Sequence, residues 1–503
     1  MAIKTAEEYK EGLKDEREIY FQGKKIKAAD MFSDPVLNAG IELCAMDYRV
    51  AQLPQYYDLF NEIDEDGTPY SFTFKSPTTS ADLLRRAELI KTLSRICLGL
   101  PGGAKFAGVD SLHALTSVSH KIDAEIGTNY SERVELFRKS LKDNDSALVM
   151  CMTDVKGDRS LRPHQQSDPD AYLHIVEERS DGIVVTGAKA NITYAPFTDE
   201  IVVLPCRNMT AKDKDYAVAF SIPPATKGIK LILAKQDPGY ISPVEHPINA
   251  ARYAGDAIVV FDNVFIPMER VFLKGEYQYA IEYTNMFTNY HRLSGDSYKI
   301  ADLEIILGCA ALMADYMGLS KSAHIREKLA WLVYYAETAQ ALGKCAGQNP
   351  VQDKYSGMVY PDPMYSNCTK FFFADNYHAA LKILQDIGGG VVSTLPSGKD
   401  TYNPEIKAIL EKYLAGRSGV PGLARIKAMY LARDLAEGIR LNGTIHAEGS
   451  LFAQKLRFYG LGNWERYKSA AKRAGRITED GPLHEDFANL PEFPVWEEYY
   501  SKL

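Results

Sequence analysis

The residues best placed by type and spacing to do chemistry lie in the run His291-Arg292-Leu293-Ser294-Gly295-Asp296-Ser297-Tyr298-Lys299. Tyr298 and Lys299 follow His291 by seven and eight positions, so on one continuous helix the three share a face after two turns. An imidazole, a phenol and an ammonium group on a buried helix face would hold and pass protons. The same run also reads as a helix start with an exposed lysine, and spacing alone does not separate the two.

Three other segments invite a ligand. Met150-Cys151-Met152-Thr153-Asp154-Val155-Lys156-Gly157-Asp158-Arg159, followed by Pro163-His164-Gln165-Gln166, mixes both charge signs with Gly and Thr. That mixture suits a backbone and side-chain clasp on a large polar cofactor, although composition alone favours a solvated loop. Gly187-Ala188-Lys189-Ala190-Asn191-Ile192-Thr193 ends a strand pattern in small residues and then offers a hydroxyl; an ordinary cross-strand threonine is the alternative. Leu384-Gln385-Asp386-Ile387-Gly388-Gly389-Gly390 closes a helical run with three glycines. They would let a backbone approach a diphosphate or a neighbouring subunit, or simply cap the helix. The run is not GxGxxG after a strand, which excludes a Rossmann dinucleotide site.

The elements that would position these segments follow from composition and pattern. The chain has 503 residues, 46% of them apolar, enough for sizeable cores. Its net charge of −8 has the wrong sign for a protein that binds by neutralising phosphates, so nucleic acid is not an expected partner. Apolar stretches such as 305–313 are too short to cross a bilayer, and residues 1–4 open no secretory segment, so a cytoplasmic protein without membrane contact is expected. The final Ser501-Lys502-Leu503 matches a peroxisomal address, but three residues on an acidic, Tyr-rich tail are most simply a chance match. The 7 cysteines are scattered without CxxC spacing, which fits reduced thiols and suggests neither a disulfide framework nor a zinc site.

Residues 5–141 read mostly as helices broken near Pro54, Pro69 and Pro77. Between 145 and 271, short β-branched runs alternate with turn residues, predicting strands at 174–178, 183–188, 200–205, 216–222, 229–234 and 257–266. Ser180-Asp181-Gly182 is a hairpin signal between the first two, and the whole reads as an antiparallel β domain. From 268 to 349 no proline interrupts a helical apolar period, and a second such region spans 424–471, predicting a four-helix bundle. Residues 348–362 are the expected long loop. The chain thus divides into an N-terminal helical domain (1–144), a middle β domain (145–275) and a C-terminal helical bundle (276–503).

Several long motifs in order carry a family resemblance. Met152-Thr153-Asp154-Val155-Lys156-Gly157-Asp158-Arg159, Asp181-Gly182-Ile183-Val184-Val185-Thr186-Gly187-Ala188-Lys189, Asp213-Lys214-Asp215-Tyr216-Ala217-Val218 and Val259-Val260-Phe261-Asp262-Asn263-Val264-Phe265-Ile266-Pro267 resemble the 4-hydroxybutyryl-CoA dehydratase branch of the 4-hydroxyphenylacetate 3-hydroxylase flavoprotein family. The resemblance runs from Ala6-Glu7-Glu8-Tyr9 to Gly462-Asn463. It implies an α+β fold of the acyl-CoA-dehydrogenase-like kind, an FAD held between β domain and bundle, and a homotetramer. Carried over, Met152, Thr153, Lys156, Gly157 and Arg159 would line the flavin, and Asn191 and Thr193 would face its ring. Asp386, Gly389 and Gly390 would meet the diphosphate across a subunit contact, and Ala447, Glu448, Gly449 and Ser450 resemble a late flavin-contacting turn.

The departures from that branch matter as much. The dehydratase holds a four-iron cluster with three cysteines and a histidine; here His291 remains, while the cysteine positions fall at Tyr298 and near Gly102 and Phe106. No iron–sulfur cluster or other metal is therefore expected. The branch's catalytic tyrosine falls at Gly295 and one glutamate at Gly443, its lysine persists as Lys299, and a second glutamate becomes Asp256. The hydroxylase branch's substrate-reading Arg and Tyr fall near Ala107 and Ser111, and its His falls at Met150. What these changes leave is an FAD enzyme acting on a short-chain acyl-CoA thioester, eliminating a C4 substituent such as an amine or moving a double bond. His291 or Lys299 would transfer protons or polarise the thioester, Asp256 would be a second base, and Tyr298 with Phe106 could form an aromatic box for a quaternary ammonium or merely fill the cluster's volume. The alternative is an FADH2-dependent aromatic hydroxylase supplied by a flavin reductase or other electron-transfer partner.

Overall fold

The fold is taken from a computed structural model that describes residues 3–103, 105–235, 242–437, 439–477, 480–491 and 501–502. Its contacts divide into two units, Met1–Leu451 and Phe452–Leu503. Among the described residues no helix is long and apolar enough to cross a membrane.

The front of the chain is helical, as its pattern predicts: α1 (Ala6–Gly12), α2 (Pro35–Ala51), α3 (Tyr57–Phe60), α4 (Ser80–Ile96), α5 (Phe106–Ile126) and α6 (Tyr130–Asp143). Local chemistry sets their ends. Asp34 accepts from two backbone N–H groups at the head of α2, Thr79 and Asp82 close a capping box on α4, and left-handed Gly127 stops α5. Strands β1 (Glu18–Phe21), β2 (Lys24–Ile26), β3 (Asn61–Ile63) and β4 (Pro69–Ser71) lie between these helices.

The middle holds β5 (Leu148–Cys151), β6 (His174–Glu178), β7 (Gly182–Ile192), β8 (Glu200–Val203), β9 (Val218–Ile222), β10 (Ile229–Leu233), β11 (Ala257–Pro267) and β12 (Val271–Lys274). They form a six-stranded sheet, β2-β1-β10-β11-β7-β6, and a four-stranded sheet, β12-β9-β8-β5. The Ser180-Asp181-Gly182 turn does join antiparallel β6 and β7. Most pairs are antiparallel as read, but β1 pairs with β10 and β5 with β8 in parallel. Neither pair is joined by a hairpin, so no short connection forces opposite directions. Gly187, with φ +123°, lets the 172–173 backbone cross β7, since a Cβ there would sit 2.5 Å from the Tyr172 carbonyl oxygen.

Behind the sheets, α7 (Ala280–Tyr316) runs for 37 residues without a break. Helices α8 (Ala323–Gln348), α9 (Pro363–Gly388) and α11 (Gly422–Leu435) pack with it as a bundle, α10 (Pro404–Tyr413) leans on α11, and α12 (Ile439–His446) follows. The expected loop at 348–362 contains a small hairpin, β13 (Val351–Gln352) with β14 (Val359–Tyr360). Helices α13 (Leu451–Leu461), α14 (Trp464–Gly475) and α15 (Glu485–Ala488) complete the described chain.

Candidate active site

Helix α7 carries the centre of the site. Its unbroken turns put His291, Tyr298 and Lys299 on its inward face, as their spacing predicts; the Lys299 side chain is 2% exposed. The His291 imidazole is stacked between Phe287, with ring centroids 4.7 Å apart, and Phe106, at 6.3 Å. Its Nδ1 lies 2.9 Å from Oδ2 of Asp110 on α5, a carboxylate with no solvent exposure. The other oxygen of Asp110 accepts from Arg86 of α4 at 2.8 Å and from Ser294 at 2.9 Å. Asp110 thereby fixes the ring and leaves Nε2 as the nitrogen available to an outside partner.

Two helical turns beyond His291, a turn that follows α12 meets α7. Glu448, left-handed at φ 56°, turns its carboxylate inward, where it is 2% exposed. Oε1 accepts from the Tyr298 hydroxyl at 2.7 Å, and Oε2 accepts from Lys299 Nζ. Lys370 of α9, wholly buried, places its Nζ 3.9 Å from the same Oε2 and donates to the Ile445 carbonyl at 3.0 Å. Burial alone would push the Glu448 carboxyl up, but Lys299, Lys370 and His291 hold it down at about 2. Burial, reinforced by Lys299, lowers the Lys370 ammonium to about 7 against the pull of Glu448 and Asp296. Burial raises the buried Asp296 carboxyl well above the usual range, with Glu448 adding to the shift against Lys299, and neither oxygen of Asp296 has a hydrogen-bond partner among the described residues. Burial, then Glu448, likewise raises the Tyr298 phenol. One ionised carboxylate, the Lys299 and Lys370 amines and a phenol thus share one largely buried space.

Gly295 explains how Glu448 fits. A Cβ at that position would lie 2.6 Å from Glu448 Oε1. Where the resemblance places a catalytic tyrosine, this chain has no side chain and a carboxylate from another element fills the room. Sequence reading assigned Glu448 to a flavin-contacting turn and gave it no proton to handle. It missed Asp110, Arg86, Asp296 and Lys370. Signals existed for two of them: Asp110 is the lone charge in Phe106-Ala107-Gly108-Val109-Asp110-Ser111-Leu112, and Lys370 in Cys368-Thr369-Lys370-Phe371-Phe372-Phe373.

The other expected residues lie around the β layer. Met152 is buried at the end of β5, Thr153 is half-buried, and Lys156, Gly157 and Arg159 are exposed. Asn191, with φ 56°, and Thr193 are exposed at the end of β7, and Ala190 N–H donates to the Thr153 carbonyl at 2.9 Å, so loop and strand end are neighbours. The Tyr194 N–H donates to the Ala254 carbonyl at 2.6 Å, and Arg252 and Tyr194 both act electrostatically on Tyr298. Tyr194, just beyond β7, and Arg252 therefore lie within electrostatic reach of the α7 cluster. Asp256 stands at the head of β11, where its charge acts on Tyr194. Asp386 is exposed and paired with Lys328, while Gly389, at φ 67°, and Gly390 end α9 in the open. Ala447, Gly449 and Ser450 flank Glu448 in its turn.

Helical front, β layer and helical bundle, with a buried proton-handling cluster on the first bundle helix, define an enzyme of acyl-CoA-dehydrogenase-like architecture. The chain belongs to the 4-hydroxyphenylacetate 3-hydroxylase family: the model of its N-terminal part matches residues 5–273 and that of its C-terminal part residues 281–475. It is 31% identical to the 4-hydroxybutyryl-CoA dehydratase/vinylacetyl-CoA-Δ-isomerase of Clostridium aminobutyricum, over 94% of this chain and 100% of that protein. It is 28% identical to the oxygenase component of the Thermus thermophilus 4-hydroxyphenylacetate 3-monooxygenase, over 92% and 96%. Among solved structures, the oxygen-tolerant archaeal 4-hydroxybutyryl-CoA dehydratase from N. maritimus superposes with a TM-score of 0.88 at 29% identity, covering 99% of both chains. An oxygenase component of 4-hydroxyphenylacetate 3-monooxygenase complexed with FAD gives 0.86 at 27%, covering 95% of this chain and 98% of that one.

Proposed function

We propose that this protein binds FAD and acts on a short-chain acyl-CoA thioester, moving a double bond or expelling a C4 substituent, without an iron–sulfur cluster. The observation that carries the reading is the pairing of two proton-handling groups on α7: His291, steadied by buried Asp110, and Lys299 with Tyr298 around ionised Glu448. Shifting a double bond requires a proton to leave one carbon and another to arrive elsewhere, so an acid and a base on one rigid helix suit it. His291 accepts the proton at the substrate carbon through Nε2. Lys299, anchored by Glu448, offers its remaining N–H donors to the thioester oxygen as charge develops there. Asp256, whose charge acts on Tyr194, takes no step in this scheme.

The polar edge where β5 and β7 end fits a flavin. The side chains of Thr153, Asn191 and Thr193 enter no hydrogen bond among the described residues, and exposed Lys156 and Arg159 suit a diphosphate. Bound there, FAD would supply the electron transfer that makes an unactivated C–H acidic. A four-iron cluster does not fit the same surroundings. Phe106 and Tyr298 hold two of its expected positions with ring centroids 6.1 Å apart, and Gly102 holds the third. The nearby Cys97 thiol is pushed up to about 12 by burial, so it is no ready thiolate.

Tyr298, one of the two rings that would box a quaternary ammonium, already has a cation of its own. Lys299 Nζ already lies over the Tyr298 ring, 5.2 Å from its centroid, and 5.4 Å from that of Phe373. That favours a double-bond shift or an uncharged C4 substituent over an ammonium leaving group. A second reading, FADH2-dependent hydroxylation of a phenol with a partner reductase, draws on the 28% likeness to the monooxygenase component.

The test is to purify the protein, record its visible spectrum, assay iron and sulfide, and add C4 acyl-CoA esters without oxygen. Flavin absorbance that bleaches or shifts with an acyl-CoA supports the proposal. Oxygen uptake that depends on a reductase and a phenol replaces it with the second reading. A colourless protein that cannot take up FAD refutes both.

A further inference from the structure

We infer that Lys189 is the positioning residue of the flavin-binding loop: its buried ammonium fixes the backbone from which Met152 and Thr153 are presented. The inference rests on the FAD reading above and says which buried group shapes that site.

Lys189 lies on β7 with a side chain 4% exposed. Its Nζ donates to the Met152 carbonyl at 3.0 Å, the Leu204 carbonyl at 3.0 Å and Asp154 Oδ1 at 2.6 Å. An ammonium has three N–H bonds, and here each has its own acceptor, two in the loop after β5 and one just after β8. Met152 follows β5, Leu204 follows β8, and Asp154 lies in the loop itself. Beside them, Asp154 pairs with Lys189 as an isolated antiparallel bridge, and Ala190 N–H binds the Thr153 carbonyl. Residues 152–154 are thus held by side chain and backbone of one two-residue segment of β7.

The hold continues outward. The second oxygen of Asp154 faces Arg207 Nε at 3.4 Å, and Arg207 covers the Tyr172 ring at 5.0 Å. Tyr172 in turn donates its hydroxyl to the Lys156 carbonyl at 3.1 Å. Beyond that point residues 156–160 are exposed. The loop therefore has a rigid root and an open rim, and the rim bears the groups proposed to meet the diphosphate.

Strand packing alone would not need a charge here. Burying a lysine is costly, and an apolar side chain of similar length would fill the volume. What only the ammonium provides is the simultaneous aim of two carbonyls and a carboxylate, which sets the direction of Thr153 and of the peptide groups beside it.

The test measures FAD affinity of the apoprotein by flavin fluorescence, and the visible circular dichroism of bound flavin, for wild type, Lys189→Met and Asp154→Asn. Lys105→Met is the control, because Lys105 is equally buried and ion-paired, 2.7 Å from Asp145, but its partner precedes β5 whereas the loop follows that strand. Lys189→Met is expected to weaken FAD binding about tenfold or more, the worth of one or two hydrogen bonds, and to alter the dichroism. Asp154→Asn, which keeps both carbonyl bonds, should lose less, and it carries the test if Lys189→Met does not fold. Lys105→Met should unfold at lower temperature yet bind FAD normally. Unchanged FAD affinity in both loop variants, or an equal loss in Lys105→Met, overturns the inference while leaving the FAD reading standing. A wild type that takes up no FAD overturns both.

Discussion

Glu448 is a buried carboxylate that stays charged because ammonium groups face it, and that arrangement can be tested by pH. Its folded-state value near 2 lies below the ordinary 4.5. A depressed carboxyl contributes stability that is fully present above about 4.5 and is lost as pH falls toward 2, here about 3 kcal/mol. Wild type should therefore lose thermal stability across that window by more than Glu448→Gln does, as followed by calorimetry. The Gln variant should start lower at neutral pH, by about 3–5 kcal/mol, because Lys299 and Lys370 are left without their buried counter-charge. In Lys370→Met one ammonium is gone, burial pushes Glu448 up, and the acid limb of the rate–pH profile should move to higher pH. An unmoved acid limb would mean that Glu448 has no part in turnover. Only part of this cluster was legible in the sequence. His291, Tyr298 and Lys299 lie on one helix, so their spacing reveals a shared face. The Asp110–His291 and Lys299–Glu448 pairs join residues 181 and 149 positions apart, and no periodicity connects them.

At the scale of elements, α7 gives up helix propensity to make room for this carboxylate. A glycine inside a helix ordinarily costs about 0.5–1 kcal/mol relative to alanine. Gly295→Ala should invert that expectation, because the new methyl group would lie 2.6 Å from Glu448 Oε1, which Tyr298 holds in place. The variant should be no more stable than wild type by thermal denaturation and should lose at least about tenfold in kcat with less change in KM, as expected when a transition-state group is displaced. A variant that is stabilised and fully active would show that Glu448 is free to retreat. Elements were more legible than sites. The strand predicted at 174–178 is the observed β6, and the long proline-free stretch holds α7 and α8. Local alternation and turn residues define a strand, but pairing direction does not follow from them. The parallel β1–β10 and β5–β8 pairs join segments that no hairpin links, which is why the pattern did not reveal them within a mostly antiparallel layer.

At the scale of the whole molecule, every residue invoked in binding or proton transfer lies within Met1–Leu451, on the β layer and its loops, on helices α4, α5, α7 and α9, and in the turn after α12. A ligand that touches several of those elements at once binds only when all are in place, so its free energy adds to folding stability. For FAD at about a hundred times its dissociation constant the gain is about 2.7 kcal/mol. Melting of the apoprotein should accordingly rise steadily with the logarithm of FAD concentration. The same linkage separates the substrate readings without any assay of turnover. If the α7 cluster receives a thioester, a C4 acyl-CoA added to the FAD-loaded protein should raise its melting temperature again, and simple phenols should not. Glu448→Gln should keep the FAD increment but change the acyl-CoA one, because Glu448 anchors Lys299, the group assigned to the thioester oxygen. Stabilisation by phenols alone would instead place an aromatic substrate against α7 and move the proposed chemistry to hydroxylation.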